Sequence, residues 1–240
     1  MNFTHNLLTF PKLERVDGPD GRFYRTPDGD FKSVTNILGE RLDHSTLDKW
    51  KQRVGAEEAN KISTQASRRG TAIHNLAEQY LLNNKDYAKG AMPINVQTFN
   101  SIRSILDKNI GTIYGIEALL YSKLLQAAGT ADLLAEYNGV NSIIDFKTSK
   151  RIKTEDQIES YFIQTSAYSL MAAERSNYNF PQIVIIMAVD NEDPLVFIKK
   201  ARDYFPRVRD IFISKPRYLD PVINEEEIRL YTRETYLTNL

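Results

Sequence analysis

Asp132, Asp145 and Lys147 are the residues of this chain whose types and spacing bear most directly on chemistry. The dipeptide Asn138-Gly139 is a strong signal for a two-residue hairpin turn. Closing the hairpin there makes Tyr137 face Val140, and counting back along both strands sets Asp132 opposite Asp145. Directly opposed residues point to the same side, with Cβ atoms roughly 5 Å apart. Two carboxylates held this way repel each other unless something positive lies between them. Lys147 falls two residues beyond Asp145, on the same face of its strand. A hard cation such as Mg²⁺ or Mn²⁺ would take oxygen ligands from the two acids. It would lower the pKa of a bound water and stabilise charge on a phosphoryl oxygen. Lys147 would orient that water or neutralise charge building in the transition state. A salt-bridged, half-exposed hairpin would show the same Asp-x-Lys, and both readings stand at this point.

Arg69-Gly70-Thr71-Ala72-Ile73-His74-Asn75-Leu76-Ala77-Glu78 places His74 and Glu78 one turn apart on one helix face. His74 could give a nitrogen to the same metal, oriented by a neighbouring carboxylate. A surface histidine paired with a glutamate is the plainer alternative. Arg68 and Arg69 add positive charge nearby. Further along, Gln164 and Tyr168 stand four apart on a helix whose other side carries Ile163, Ala167 and Leu170. An amide and a phenol on one face could contact a phosphate, brace the carboxylates, or be boundary residues with no chemical role.

The elements that must position these groups follow from periodicity and turn chemistry. Aromatic alternation around Asp28-Gly29 predicts a hairpin over Arg22–Phe31. Ser45-Thr46-Leu47-Asp48 fits a helix start, with helix to about Lys61 carrying Trp50, Lys51 and Arg53. A second helix is expected from about Gln65 to Leu82, with Ile73, Leu76, Ala77 and Tyr80 on its apolar side, and a third over Val96–Lys108. Strands follow over Ile113–Leu125, Thr130–Tyr137 and Asn141–Lys147. Next come a helix from about Glu155 to Glu174, a strand over Gln182–Val189, a turn from Asp190 to Pro194 and a strand over Leu195–Lys199. Ala201–Ile213 and Asn224–Tyr236 read as helical. This order predicts an α/β fold, a mixed central β-sheet flanked by helices with a helical N-terminal region. With no internal repeat, low-complexity run or linker, a single domain over 1–240 is expected. It comprises an N-terminal hairpin and helical part (1–64), a core (65–200) and a helical tail (201–240).

Composition sets outer limits. Lys plus Arg equals Asp plus Glu at 31 each, so the net charge is zero and any polyanion must be met by local clusters. The chain has no cysteine. That excludes disulfides, thiol catalysis, cysteine-ligated zinc and iron–sulfur clusters. No secretory apolar region or membrane-spanning run is visible, so the expected location is the cytoplasm, including a host cytoplasm for a phage protein.

Taken in order, Arg69-Gly70-Thr71-x-x-His74-x-x-x-Glu78, Gly129-Thr130-Ala131-Asp132, Asp145-Phe146-Lys147-Thr148 and Gln164-x-x-x-Tyr168 resemble the motifs of RecB-like PD-(D/E)XK exonucleases. The resemblance covers about Arg68 to Tyr168. Upstream, Ser33-Val34-Thr35-Asn36-Ile37-Leu38 and Trp50-Lys51-x-Arg53 are similar to the phage and mitochondrial genome maintenance exonuclease branch, whose members act on DNA ends and favour single strands. The resemblance implies that His74, Asp132 and Asp145 ligate Mg²⁺ or Mn²⁺, with the Phe146 carbonyl as a further ligand and Lys147 as catalytic lysine. Gln164 and Tyr168 would support the site and the DNA backbone. Glu117 resembles an acid found on the preceding strand in many members, with an undefined role, and Glu78 belongs to the supporting set. The implied function is hydrolysis of DNA from its ends, leaving a 5′-phosphate, in repair, recombination or replication. Trp50, Lys51, Arg53, Arg68, Arg69, Lys150 and Arg151 would contact the DNA, and Lys153 would extend the positive track. The tail arginines Arg202, Arg207 and Arg209 read as a solvated face. Two other readings stay open: a catalytically silent nucleic-acid-binding module, and a restriction-type or RNA-processing nuclease of the same fold. Oligomeric state is not legible.

Overall fold

The computed structural model describes residues 2–19, 21–43 and 45–213, so the helix expected over 224–236 lies outside the described residues. The strands are β1 (Glu14–Gly18), β2 (Gly21–Thr26), β3 (Gly29–Ser33), β4 (Ile110–Ser122), β5 (Ala127–Tyr137), β6 (Val140–Ser149), β7 (Gln182–Val189) and β8 (Leu195–Lys200). They form one sheet in the order β1-β2-β3-β5-β6-β7-β8, with β4 also paired to β5. β3–β5 and β6–β7 run parallel and the other pairs antiparallel, so the sheet is mixed, as expected.

The helices are α1 (Val34–Arg41), α2 (Ser45–Val54), α3 (Ala56–Leu81), α4 (Pro93–Asn109), α5 (Glu159–Arg175) and α6 (Phe205–Phe212). They cover both faces of the sheet. On one face Val34 and Ile37 of α1, Phe162 and Met171 of α5 and Val208 of α6 pack on Leu134, Ile143 and Ile185. On the other, Ile73 and Leu76 of α3 and Phe99, Ile102 and Leu106 of α4 pack on Leu133, Ile144, Val184 and Ile186. Adjacent residues of β5, β6 and β7 thus feed opposite cores, which is why these strands read as unbroken apolar runs. Parallel β6 and β7 need a crossover, and α5 supplies it. Among the described residues, no helix is long and apolar enough to cross a membrane.

One expected boundary moves. The sequence predicts a helix to about Lys61 and another from Gln65, but the break falls at Gly55, whose φ of 84° lies outside helical space. From Ala56 the chain then runs as one 26-residue helix. Ser63, Thr64 and Ser67 are weak helix formers rather than breakers, and they ride on the exposed side. α3 is therefore largely exposed as far as Arg68 and packed beyond it.

The hairpin arithmetic holds. Asn138 and Gly139 both adopt positive φ, 53° and 77°, as a two-residue type I′ turn demands. Tyr137 faces Val140 and Leu133 faces Ile144. The ladder stops there, one step short of Asp132 and Asp145, so the direct pairing expected of those two is not part of it. β4 occupies one edge of β5 along its whole length. The other edge is shared, with β3 taking Ala127 and Ala128 and β6 taking Leu133 to Tyr137. No described strand pairs with residues 129–132 on that edge, and the sheet forks.

The fork is filled by side chains. Tyr168 of α5 lies against Gly129, where an added Cβ would sit 2.6 Å from its hydroxyl and 2.8 Å from its ring. Tyr24 brings its hydroxyl to Thr130 at 3.3 Å. Since Tyr168 is buried and has no room to retreat, Gly129→Ala is expected to cost about 1–3 kcal/mol through overpacking. Thermal denaturation reads this directly, and an unchanged melting temperature would contradict the contact.

Candidate metal centre

Asp132, the first residue past the β5–β6 ladder, is buried. Its Oδ2 accepts the Phe146 N–H at 2.7 Å. Where the backbones part, the carboxylate takes over the role a strand partner would have had. Its Oδ1 is left facing His74 Nδ1 at 3.4 Å.

His74 comes from α3, where the helix begins to pack. Its Nε2–H donates to the Phe146 carbonyl at 2.8 Å, which fixes the ring and turns Nδ1 toward the acids. The Phe146 oxygen, expected as a metal ligand, is thus found orienting the histidine. Of the two carboxylates beside Nδ1, Glu117 Oε1 lies at 3.9 Å. His74, Glu117 and Asp132 together offer ligand atoms within 4.8 Å of one another.

Glu117 is the residue whose place the sequence left undefined. It stands on β4 between Ile116 and Ala118, which face Leu133 and Ala131, so its register partner is Asp132. Its φ of 47° is unusual for a strand residue. No turn signal fixes the β4–β5 register, so the count that placed Asp132 opposite Asp145 had no equivalent here. Glu78, one turn after His74, adds to the negative field on Glu117.

Asp145, on β6, lies outside that group and beside Lys147. It is 2% exposed, and its Oδ2 lies 2.5 Å from Lys147 Nζ without a well-aligned hydrogen-bond donor. Lys147 also lies 4.9 Å from the centre of the Tyr161 ring on α5. Tyr161 sits one turn before Gln164, and that spacing was the signal available for it. Gln164 Nε2 donates to the Tyr168 hydroxyl at 3.4 Å, so the expected amide–phenol pair does meet and stands behind the fork.

The electrostatics are those of crowded acids neutralised by two cationic side chains. Burial would lower the His74 pKa, but Asp132, with Asp145 beyond it, overrides this and holds the imidazolium up to about 9. Burial, then the Asp132 charge, raises Glu117 to about 7. Burial raises Asp145 to about 6 against the pull of Lys147. Asp132 resists its burial, because His74, Lys147 and the Phe146 N–H keep it below the usual carboxylate range. Lys147 is likewise raised in spite of burial, by Asp145 and Asp132, and stays charged. Burial pushes the Tyr168 phenol up, so it remains neutral.

The basic residues separate into two groups. Lys51 and Arg53 on α2, Arg68 on α3, and Lys150 and Arg151 after Lys147 are exposed, with Trp50 half-buried on α2. Arg69 differs, since its guanidinium rests on the Asp190 carboxylate. In the tail, Arg207 pairs with Glu159 and Arg209 with Asp210, in keeping with a solvated face.

The chain is similar to mitochondrial genome maintenance exonucleases. It is 29% identical over 163 residues to mitochondrial genome maintenance exonuclease 1 of Xenopus tropicalis, a match covering 63% of this chain and 46% of the relative. To the Homo sapiens protein of that name it is 26% identical over 159 residues, covering 62% and 45%. The chain spans about half the length of the curated relatives it matches. Among solved structures it is similar to an exonuclease candidate from Eubacterium rectale, at 13% identity and a TM-score of 0.38, over 67% of this chain and 74% of that one. No family model matches the chain.

Proposed function

We propose that the protein is a divalent-cation-dependent DNA exonuclease of the RecB-like PD-(D/E)XK type, acting on DNA ends and favouring single strands. The observation that carries this reading is the meeting of His74 Nδ1, Glu117 and Asp132 with the Asp145–Lys147 pair at one fork of the sheet. The names of the relatives, genome maintenance exonucleases, support DNA as the substrate.

The donor set fits a divalent cation. His74 Nδ1, Asp132 Oδ1 and Glu117 would hold it, with Asp145 on the adjoining strand. Carboxylates suit Mg²⁺ and Mn²⁺, and the imidazole favours Mn²⁺ of the two. A bound divalent cation supplies Lewis-acid polarisation of a phosphoryl oxygen and lowers the pKa of nearby water. The chain's own groups do the rest. The Phe146 carbonyl holds His74 in one orientation. Asp145 and the Tyr161 ring hold Lys147, whose ammonium orients the attacking water and meets charge growing on the phosphate. The water oxygen bonds to phosphorus and the bond to the 3′ oxygen breaks. That oxygen leaves with a proton, and a 5′-phosphate remains. Lys51, Arg53, Arg68, Lys150 and Arg151 would pair with phosphates, and Trp50 would stack on a base.

The test uses single- and double-stranded DNA labelled at either end, with Mg²⁺ or Mn²⁺, comparing wild type with Asp145→Ala and Lys147→Ala. Wild type should shorten strands from an end, single strands faster. Loss of Lys147 should slow this by about 10²–10³-fold, the scale of removing one transition-state donor, and loss of Asp145 by at least as much. Undiminished activity in both variants would refute the site assignment. Binding without cleavage would indicate a silent binding module, and cleavage of closed circles alone would contradict end-directed action.

A further inference from the structure

The metal centre joins two parts of the chain that no turn connects. α3 brings His74, while β4, β5 and β6 bring Glu117, Asp132, Asp145 and Lys147. Where His74 Nδ1 falls among the carboxylates therefore depends on how α3 sits on the sheet. Ile73, Leu76 and Ala77 seat the C-terminal half of α3 in an apolar core. Ahead of them that support ends, since the helix is largely exposed as far as Arg68 and a Cβ on Gly70 would meet nothing within 4 Å.

Arg69 is where the helix is caught. Its Nη1 donates to Asp190 Oδ2 at 2.7 Å, and its Nη2 lies on Asp190 Oδ1. The hydrogen bond from one nitrogen and the close ion contact of the other tie the guanidinium to both carboxylate oxygens. Asp190 in turn belongs to the sheet. It follows β7 directly, and its N–H donates to Ser149 O at 3.0 Å. Ser149 is the last residue of β6, the strand that carries Asp145 and Lys147. The Arg69 side chain is 19% exposed, too enclosed to lose its partner without consequence.

We infer that the Arg69–Asp190 pair is a positioning clamp, setting α3 against the β6–β7 end of the sheet so that His74 and the acids can share one cation. This rests on the metal-centre reading above. Arg69 precedes His74 by five residues, about 7.5 Å along a helix, and the His74–Phe146 bond is the second polar tie. With the first tie cut, α3 is held by the second and by its apolar half, and Nδ1 shifts with any tilt. The pairing also takes Arg69 off the phosphate track expected for it, because a phosphate would have to displace Asp190.

Calorimetric titration with Mn²⁺ tests the clamp in the full chain, comparing wild type, Asp190→Asn, Arg69→Gln and the exchanged double variant Arg69→Asp/Asp190→Arg. In parallel, binding of a labelled single-stranded oligonucleotide is measured in EDTA over a range of salt. Both single variants should bind Mn²⁺ about tenfold more weakly, the low end for partners standing behind a metal ligand. The exchanged variant should recover part of that loss, and the salt dependence of oligonucleotide binding should stay unchanged. Wild-type Mn²⁺ affinity in the single variants would overturn the clamp. So would oligonucleotide binding that weakens in Arg69→Gln alone with a shallower salt slope, the mark of a lost phosphate contact. If Arg69→Gln melts below the assay temperature, the near-isosteric Asp190→Asn and the exchange still decide. Failure of wild type itself to bind Mn²⁺ would instead overturn the metal-centre reading, and the clamp with it.

Discussion

Asp132→Asn is expected to lose cation-dependent cleavage by about a thousandfold or more while keeping the fold, and Asp132→Ala to lose both. Asp132 does two jobs with two oxygens. Oδ2 satisfies the buried N–H of Phe146, and Oδ1 faces His74. An asparagine in the same place still presents one oxygen to Phe146, but its amide is neutral and its other end carries hydrogens. It therefore cannot offer the anionic oxygen that a cation would share with His74 Nδ1. Alanine removes the acceptor as well. A buried N–H left without a partner costs about 1–3 kcal/mol, and the His74 imidazolium loses the charge that most stabilises it. The two variants should therefore separate in thermal melts while agreeing in the nuclease assay. Asp132→Asn cleaving at the wild-type rate would remove Asp132 from the site.

The second large effect is on pH. Below about 9 the His74 imidazole carries a proton, and below about 7 Glu117 does so too. A cation taking the same oxygens and nitrogen must expel those protons, so affinity rises with pH rather than falling. From about pH 7 to 9 one proton leaves for each ion bound, and affinity should climb about tenfold per unit. Below 7 the Glu117 proton joins it, and near 6 that of Asp145, so the slope steepens. Above 9 it should flatten. Calorimetry of Mn²⁺ binding in buffers of different ionisation enthalpy counts the protons released, and His74→Ala should flatten the range between 7 and 9. Equal affinity at pH 6 and pH 9 would contradict the assignment of Nδ1 as a ligand.

What could be read in advance was whatever local chemistry fixes. Asn138-Gly139 specifies a turn through the conformations those two residues tolerate, and a turn of known length sets the pairing of both strands. That count holds from Tyr137–Val140 to Leu133–Ile144 and stops one step short of Asp132 and Asp145. The apolar runs of β5, β6 and β7 and the four-residue spacing of Gln164 and Tyr168 are equally local, and each element appears where its pattern lies. The helix break falls at position 55 rather than near 63 because glycine interrupts the helix, whereas serine and threonine at 63–67 merely weaken it.

The tertiary structure decided everything that depends on contacts between distant segments. That β6 leaves β5 just after Leu133 and Ile144, so that a carboxylate must serve the Phe146 N–H, is set by β3 competing for the same strand edge. That His74 faces Asp132 and Glu117 depends on how α3 packs on the sheet, and no spacing encodes it. Glu117 joins the group through a register that no turn signal specifies, and Arg69 pairs with Asp190, 121 positions away. The hairpin as far as Leu133 and Ile144 is thus the part the sequence determined by itself. The gathering of His74, Glu117 and Asp132, with Asp145 and Lys147 beside them, came only from folding, because packing between remote elements is a sum over the whole chain.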